Sequence, residues 1–135
     1  MLSFDTKLRV RYGETDQMGF CYYGNYAQFL EVARVEALRE YGISYKELEQ
    51  HGVLLPVRTF TIKYLFPAKY DDVLHIKTII THLEGARISF SYEIHSNQKK
   101  LIATAQTELV FVNAKTLKPM PMPTQFHLLA SKITE

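Results

Sequence analysis

One cysteine, Cys21, stands alone in 135 residues. A lone thiol excludes an intrachain disulfide and a cysteine-rich structural zinc site, and it fits a reducing compartment. No apolar run reaches the length needed to cross a bilayer. The first residues, M-L-S-F-D-T-K-L-R, acquire charges before a signal-peptide core can form. A cytoplasmic protein is the expectation. The chain also lacks a block of basic residues. Sixteen Lys and Arg stand against fourteen Asp and Glu, a net charge of +2 scattered along the chain. Nucleic-acid binding needs a dense basic face, so that class is set aside, while a small anionic ligand still suits the balance. Internal repeats, low-complexity tracts and a second domain are all missing.

What remains is enough for one core. Hydrophobic residues make up 47% of the chain and charged residues 22%, the proportions of a globular domain spanning residues 1–135. Residues 4–12 alternate, with Phe4, Leu8, Val10 and Tyr12 on one parity and Lys7, Arg9 and Arg11 on the other. That period of two predicts a strand with one buried face. From about Asn25 to Tyr41 the pattern turns helical. Asn25 and Gln28 have capping-box spacing, and Gly42 supplies the stop. Apolar residues point around most of this helix, which predicts burial on most sides. Glu31 and Arg34 are spaced to pair. Ser44 and Glu47 open a second, short helix that Gly52 ends. Four strand-like runs follow, over 57–65, 73–82, 87–95 and 101–112, separated by turn residues at hairpin spacing. The run K-P-M-P-M-P cannot pair in a central strand and ends the sheet. Residues 124–133 read as a short helix or a tail. The sum is an α+β domain: a curved, five-stranded antiparallel sheet around one long helix. Its uncovered sheet edge and helix flank predict at least a homodimer.

The connector between the first strand and the long helix is richer than a turn requires. Residues 12–26 read Y-G-E-T-D-Q-M-G-F-C-Y-Y-G-N-Y. A turn uses Gly19 and Asp16; it has no need of four tyrosines. A carboxylate at Asp16 can serve as general base or nucleophile. Just after it, a helix start offers unbonded backbone N–H groups and the positive end of a dipole, suited to a developing oxyanion. Gly24 lets a substrate approach that backbone closely.

The segments Y-G-E-T-D-Q-M-G, Y-Y-G-N-Y and F-L-E-V-A-R-V-E together resemble the signature of the hot-dog-fold acyl-CoA thioesterases. The resemblance is to the 4-hydroxybenzoyl-CoA thioesterase-like branch, which includes the Tol–Pal-associated group. It extends to F-P-A-K-Y-D-D-V-L and to A-T-A-Q-T-E-L-V-F-V-N-A-K-T-L-K-P-M-P, covering roughly residues 4–123. It implies a hot-dog fold, hydrolysis of an acyl-CoA thioester without metal or cofactor, and homodimers, often paired into homotetramers, with sites at the subunit interface. Asp16 matches the family's catalytic aspartate. Tyr23, seven residues on, stands where many members of the branch carry histidine, and is the second catalytic candidate. Tyr12, Gly24 and Asn25 are the substrate-binding candidates, Asn25 also as a helix cap. Lys63, Lys69 and Arg87 are candidate partners for the CoA phosphates.

Plainer roles stand beside these. Tyr22 and Tyr26 read as core or interface aromatics, Cys21 as a small buried hydrophobe, and Glu14 as a turn flank. Glu31 is a minor rival carboxylate, explained well enough by pairing with Arg34. His51, His75, His82 and His95 have no ligand spacing, so no metal site is expected. Two further functions remain open: hydrolysis of acyl-carrier-protein thioesters, and non-catalytic acyl-CoA binding, which the tyrosine at position 23 keeps in play.

Overall fold

The computed structural model describes residues 2–133. Strand β1 (Leu2–Arg9) leads through two short 3-10 turns to helix α1 (Tyr26–Arg39) and helix α2 (Tyr45–Gln50). Then come β2 (Val53–Leu54), β3 (Val57–Tyr64), β4 (Val73–Glu84), β5 (Arg87–Ser96), β6 (Leu101–Val110), β7 (Val112–Asn113) and helix α3 (His127–Ile133). Five strands form one antiparallel sheet in the order β1-β4-β5-β6-β3, and β2 pairs with β7 in a small second sheet. The predicted α+β architecture is therefore present. Alternation is what sets it. Ile76, Thr78 and Ile80 of β4, Phe90, Tyr92 and Ile94 of β5, and Ala103, Ala105 and Thr107 of β6 are all buried on one face, and α1 packs on that side.

Three expectations change in the detail. β1 ends at Arg9, and Tyr12 opens a 3-10 turn instead of closing the strand. The four later strands are not successive hairpins, because β3 pairs with β6 and not with β4. The segment from Leu65 to Asp72 instead carries the chain across the end of the sheet. On the way it pairs with the connector, Cys21 N–H donating to the Ala68 carbonyl at 2.7 Å. Finally, α1 buries one stripe only: Tyr26, Phe29, Leu30, Ala33, Arg34, Ala37 and Leu38. Spacings of three and four residues keep these on one side, while Val32, Glu36 and Arg39 face outward and remain exposed.

Arg34 is the polar exception in that stripe, only 6% exposed. Its Nη1 donates to Tyr92 Oη at 3.2 Å, and Tyr92 Oη shares a hydrogen bond of 2.7 Å with Thr107 Oγ1. The expected pair with Glu31 does not form among the described residues: Arg34 turns inward to the sheet and Glu31 outward to the surface. The ends of the helices follow their punctuation. Gly42 and Gly52 adopt positive φ, and Ser44 caps α2 by accepting from Glu47 N–H. The Pro-rich strap still hydrogen-bonds to the body, through Met120 N–H to the Phe111 carbonyl and Met122 N–H to the Gly85 carbonyl, both 2.8 Å. It delivers Phe126 edge-on to Phe111, 4.8 Å between ring centroids.

Candidate active site

The connector between β1 and α1 is held by Glu14. This carboxylate is buried, accepts Arg11 N–H at 2.7 Å and Arg11 Nη2 at 3.2 Å, and so closes the first 3-10 turn. Its backbone carbonyl accepts from Tyr22 N–H and from Asn25 Nδ2, each at 2.8 Å. Asn25 holds the N-cap position of α1, but its side chain makes no capping bond. Its side chain reaches back eleven residues and ties the start of α1 to the first turn.

Between those anchors residues 15–21 double back. Thr15 pairs with Cys21, and Asp16 N–H donates to the Phe20 carbonyl at 2.8 Å. The tip is turned by Gly19 at φ 85°, a conformation that favours glycine. Asp16 is both turn residue and available carboxylate. Its Oδ1 accepts from Met18 N–H at 3.0 Å and Phe20 N–H at 3.3 Å, which fixes the side chain. Its Oδ2 has no hydrogen-bond partner among the described residues.

Asp16 lines a cavity of about 280 Å³ together with Cys21, Tyr23, Tyr26, Tyr64 and Phe66. The connector supplies one wall; the end of β3 and the crossover after it supply the other. Larger hollows, of about 470 Å³ on the outer face of the sheet and 420 Å³ beside α2, are lined by no residue of the connector. A neighbouring cavity of about 320 Å³ runs along α1 and β3, lined by Ala27, Leu30, Glu31, Arg34, Val57 and Phe60.

The predicted residues divide. Asp16 and Tyr23 share the first cavity. Gly24 follows Tyr23 in the second 3-10 turn (Tyr23–Asn25), with its Cα packed against the Tyr22 ring; a Cβ there would lie 2.5 Å from that ring. No hydrogen bond engages the Tyr23 or Gly24 backbone N–H among the described residues. Tyr12 lies apart: it is 77% exposed, edge-on to Tyr70 at 5.5 Å, and does not line the Asp16 cavity. Of the cations, Arg87 is paired with Glu108 at 3.8 Å and lies opposite Val110, at the end of the sheet away from Tyr64. Lys63 lines the hollow on the outer face, and Lys69 is exposed beside Phe20. Lys100, which sequence reasoning passed over, sits 3.4 Å above the centroid of Phe66, on the cavity wall.

Tyr26 is core, as read, and Tyr22 is half exposed against the Tyr23 ring. Cys21 is buried, and its thiol is pushed up to about 11, first by burial and then by the nearby Glu14 and Asp16 carboxylates. It stays protonated at neutral pH, which removes it as a nucleophile. Among the described residues no three His, Cys, Asp or Glu side chains gather as a metal group, and no helix is long and apolar enough to cross a membrane. Tyr64 was missed as a site residue, since it showed only as an inward strand position. Glu14, read as a turn flank, is a buried anchor: Arg11 donates to its carboxylate, and Tyr22 and Asn25 donate to its carbonyl.

Residues 10–128 match the model of the thioesterase-like superfamily. The chain is 35% identical over 120 residues to the acyl-CoA thioester hydrolase YbgC of Escherichia coli O6:H1, covering 89% of this chain and 90% of that one. It is 32% identical to the putative acyl-CoA thioesterase YneP of Bacillus subtilis, over 84% of this chain and 83% of its relative. The crystal structure of a DHNA-CoA thioesterase from Staphylococcus aureus superposes with a TM-score of 0.95 at 32% identity, across 99% of this chain and 92% of that one. The five-stranded sheet packed on a long helix is thus the hot-dog arrangement that the sequence motifs implied. The match along nearly the whole chain and the shared fold lead to one assignment: the chain belongs to the thioesterase-like superfamily.

Proposed function

We propose that this chain hydrolyses acyl-CoA thioesters to the free acid and CoA, with Asp16 as general base or nucleophile and the backbone N–H groups of the α1 start as oxyanion donors. One observation carries the reading. A single cavity is lined both by Asp16, a carboxylate with one free oxygen, and by Tyr23, which opens the turn leading into α1 and whose N–H, like that of Gly24 beside it, is unbonded. As base, Asp16 takes a proton from water, the water oxygen bonds to the carbonyl carbon, the C–S bond breaks and the CoA sulfur leaves protonated. As nucleophile, its oxygen displaces CoA to form an anhydride that water then opens. Both routes put negative charge on the thioester oxygen, where preorganised N–H donors act. Tyr23 lines the same cavity as a hydrogen-bonding side chain, the role left to it where histidine would also move a proton.

The acyl group extends along α1 and β3 into the neighbouring cavity of about 320 Å³. The CoA moiety leaves past Phe66, where Lys100 is a cation in reach of its phosphates. The open strand β3 is the surface on which a second copy completes the site, giving a homodimer. A cytoplasmic location suits the reduced cysteine and the CoA substrate. Thiol release from a panel of short, long and aromatic acyl-CoAs tests the reading. Turnover of at least one member is expected. A folded protein that binds acyl-CoA and releases no thiol from any of them would contradict it and leave a binding protein in its place.

A further inference from the structure

We propose that Tyr64 is a positioning residue for the reaction: its hydroxyl aims the Gly24 N–H by holding the other end of the same peptide group. This inference rests on the reading of Gly24 N–H as an oxyanion donor. Tyr64 Oη donates to the Tyr23 carbonyl oxygen at 3.1 Å. The same oxygen accepts from Tyr26 N–H, which closes the 3-10 turn. The Tyr23–Gly24 peptide is planar and trans, so its C=O and N–H point in opposite directions. Two donors that pin the oxygen therefore fix the direction of the N–H. That N–H has no partner of its own among the described residues.

The hydroxyl is itself well held. The Tyr64 ring lies edge-on to Tyr26 (centroids 5.1 Å apart) and to Tyr23 (6.1 Å), and Tyr26 is buried in the core. Tyr64 also lines the Asp16 cavity, so its strand joins the wall of the site to the turn that carries the donor. Burial, with Tyr23 and Cys21 nearby, raises the Tyr64 phenol above its ordinary range, so it remains a donor at neutral and mildly alkaline pH. A carbonyl that accepts hydrogen bonds also polarises its own peptide and strengthens the N–H as a donor. The effect matters most when the thioester oxygen becomes negative, which places it in the transition state.

Tyr64→Phe keeps the ring and removes only the hydroxyl. With an acyl-CoA that the wild type turns over, kcat should fall about tenfold while KM stays within about twofold, the pattern of an interaction made in the transition state. The melting temperature should move by no more than about 2 °C, because Tyr64 is 43% exposed and its packing is retained. A CoA thioether, which has a methylene in place of the carbonyl, should bind wild type and variant equally. Asp16→Asn serves as the control. If the wild type is active and Asp16→Asn is not, an unchanged kcat in Tyr64→Phe overturns this inference and leaves the proposed function standing. A drop in kcat matched by a rise in KM, weaker thioether binding or a large loss of melting temperature makes Tyr64 a packing residue, and also overturns it. A wild type without turnover overturns both readings together.

Discussion

The two edges of the main sheet have the same length and opposite surroundings. β1 alternates between half-buried and exposed residues, and its inner side chains are covered; Phe4 meets Tyr41 edge-on at 5.2 Å. β3 is exposed at every position except Ile62. Its Val57, Phe60 and Tyr64 are 45%, 39% and 43% exposed, although Phe60 and Tyr64 point toward α1. Covering an inner face by the chain's own helix finishes an edge. β3 is left unfinished, and both the Asp16 cavity and the cavity along α1 open beside it. The contrast teaches where the molecule invests its own packing. The β1 side supports the fold, and the β3 side is the one that the proposed function assigns to substrate and to a second copy of the chain.

Breaking the β3 edge should have the largest effect. Phe60→Asp puts a carboxylate on the apolar part of that edge, and sedimentation should shift the protein from a dimer or larger assembly to monomer. A wild type that already sediments as a monomer would remove this half of the contrast. The matching change on the other edge, Phe4→Ala, should leave the assembly intact and cost about 2 kcal/mol in urea unfolding, since a partly buried ring loses its contact with Tyr41. Glu14→Gln should cost about 1 kcal/mol by replacing charged hydrogen bonds to Arg11 with weaker ones. The smallest effect is expected from Cys21. Below pH 9 its thiol is protonated in the folded and unfolded chain alike. Between pH 9 and about 11 only the unfolded chain releases the proton, so this contribution to stability falls as pH rises through that window. Cys21→Ala should therefore flatten the decline of melting temperature over the same interval; an equally steep decline would show that the thiol contributes nothing there.

Much of the fold was legible because burial writes a period into each strand. Phe90, Tyr92 and Ile94 announce an inner face wherever their strand sits in the sheet. Strand order was not legible. The turn residues after β3 are compatible with a hairpin, but the chain crosses the end of the sheet, with Ala68 and Lys69 paired to the connector, and enters β4 between β1 and β5. The long helix misled for a related reason: its apolar composition counts Val32, which faces outward, and Ala27, which stays exposed beside the open edge. At the site, Asp16, Tyr23 and Gly24 were readable as one local motif, since they lie within nine positions of one another. Tyr64 was not, because its contact with the Tyr23 carbonyl spans 41 residues. Asn25 was read as a cap because it precedes a helix, but the nearby Glu14 carbonyl is the partner it takes. Arg34 likewise bonds to Tyr92, 58 residues on, instead of its helical neighbour Glu31.

In the proposed reaction the unengaged oxygen of Asp16 drives thioester cleavage. The direct measurement is the kcat of Asp16→Asn on an acyl-CoA turned over by the wild type, taken beside its melting curve. Asparagine keeps an oxygen to accept the Met18 and Phe20 N–H groups, so the loop should hold and the melting temperature should stay near that of the wild type. The account predicts a loss of at least about a hundredfold in kcat, the scale of a removed acid–base group. A folded Asp16→Asn enzyme that keeps most of its activity would contradict it.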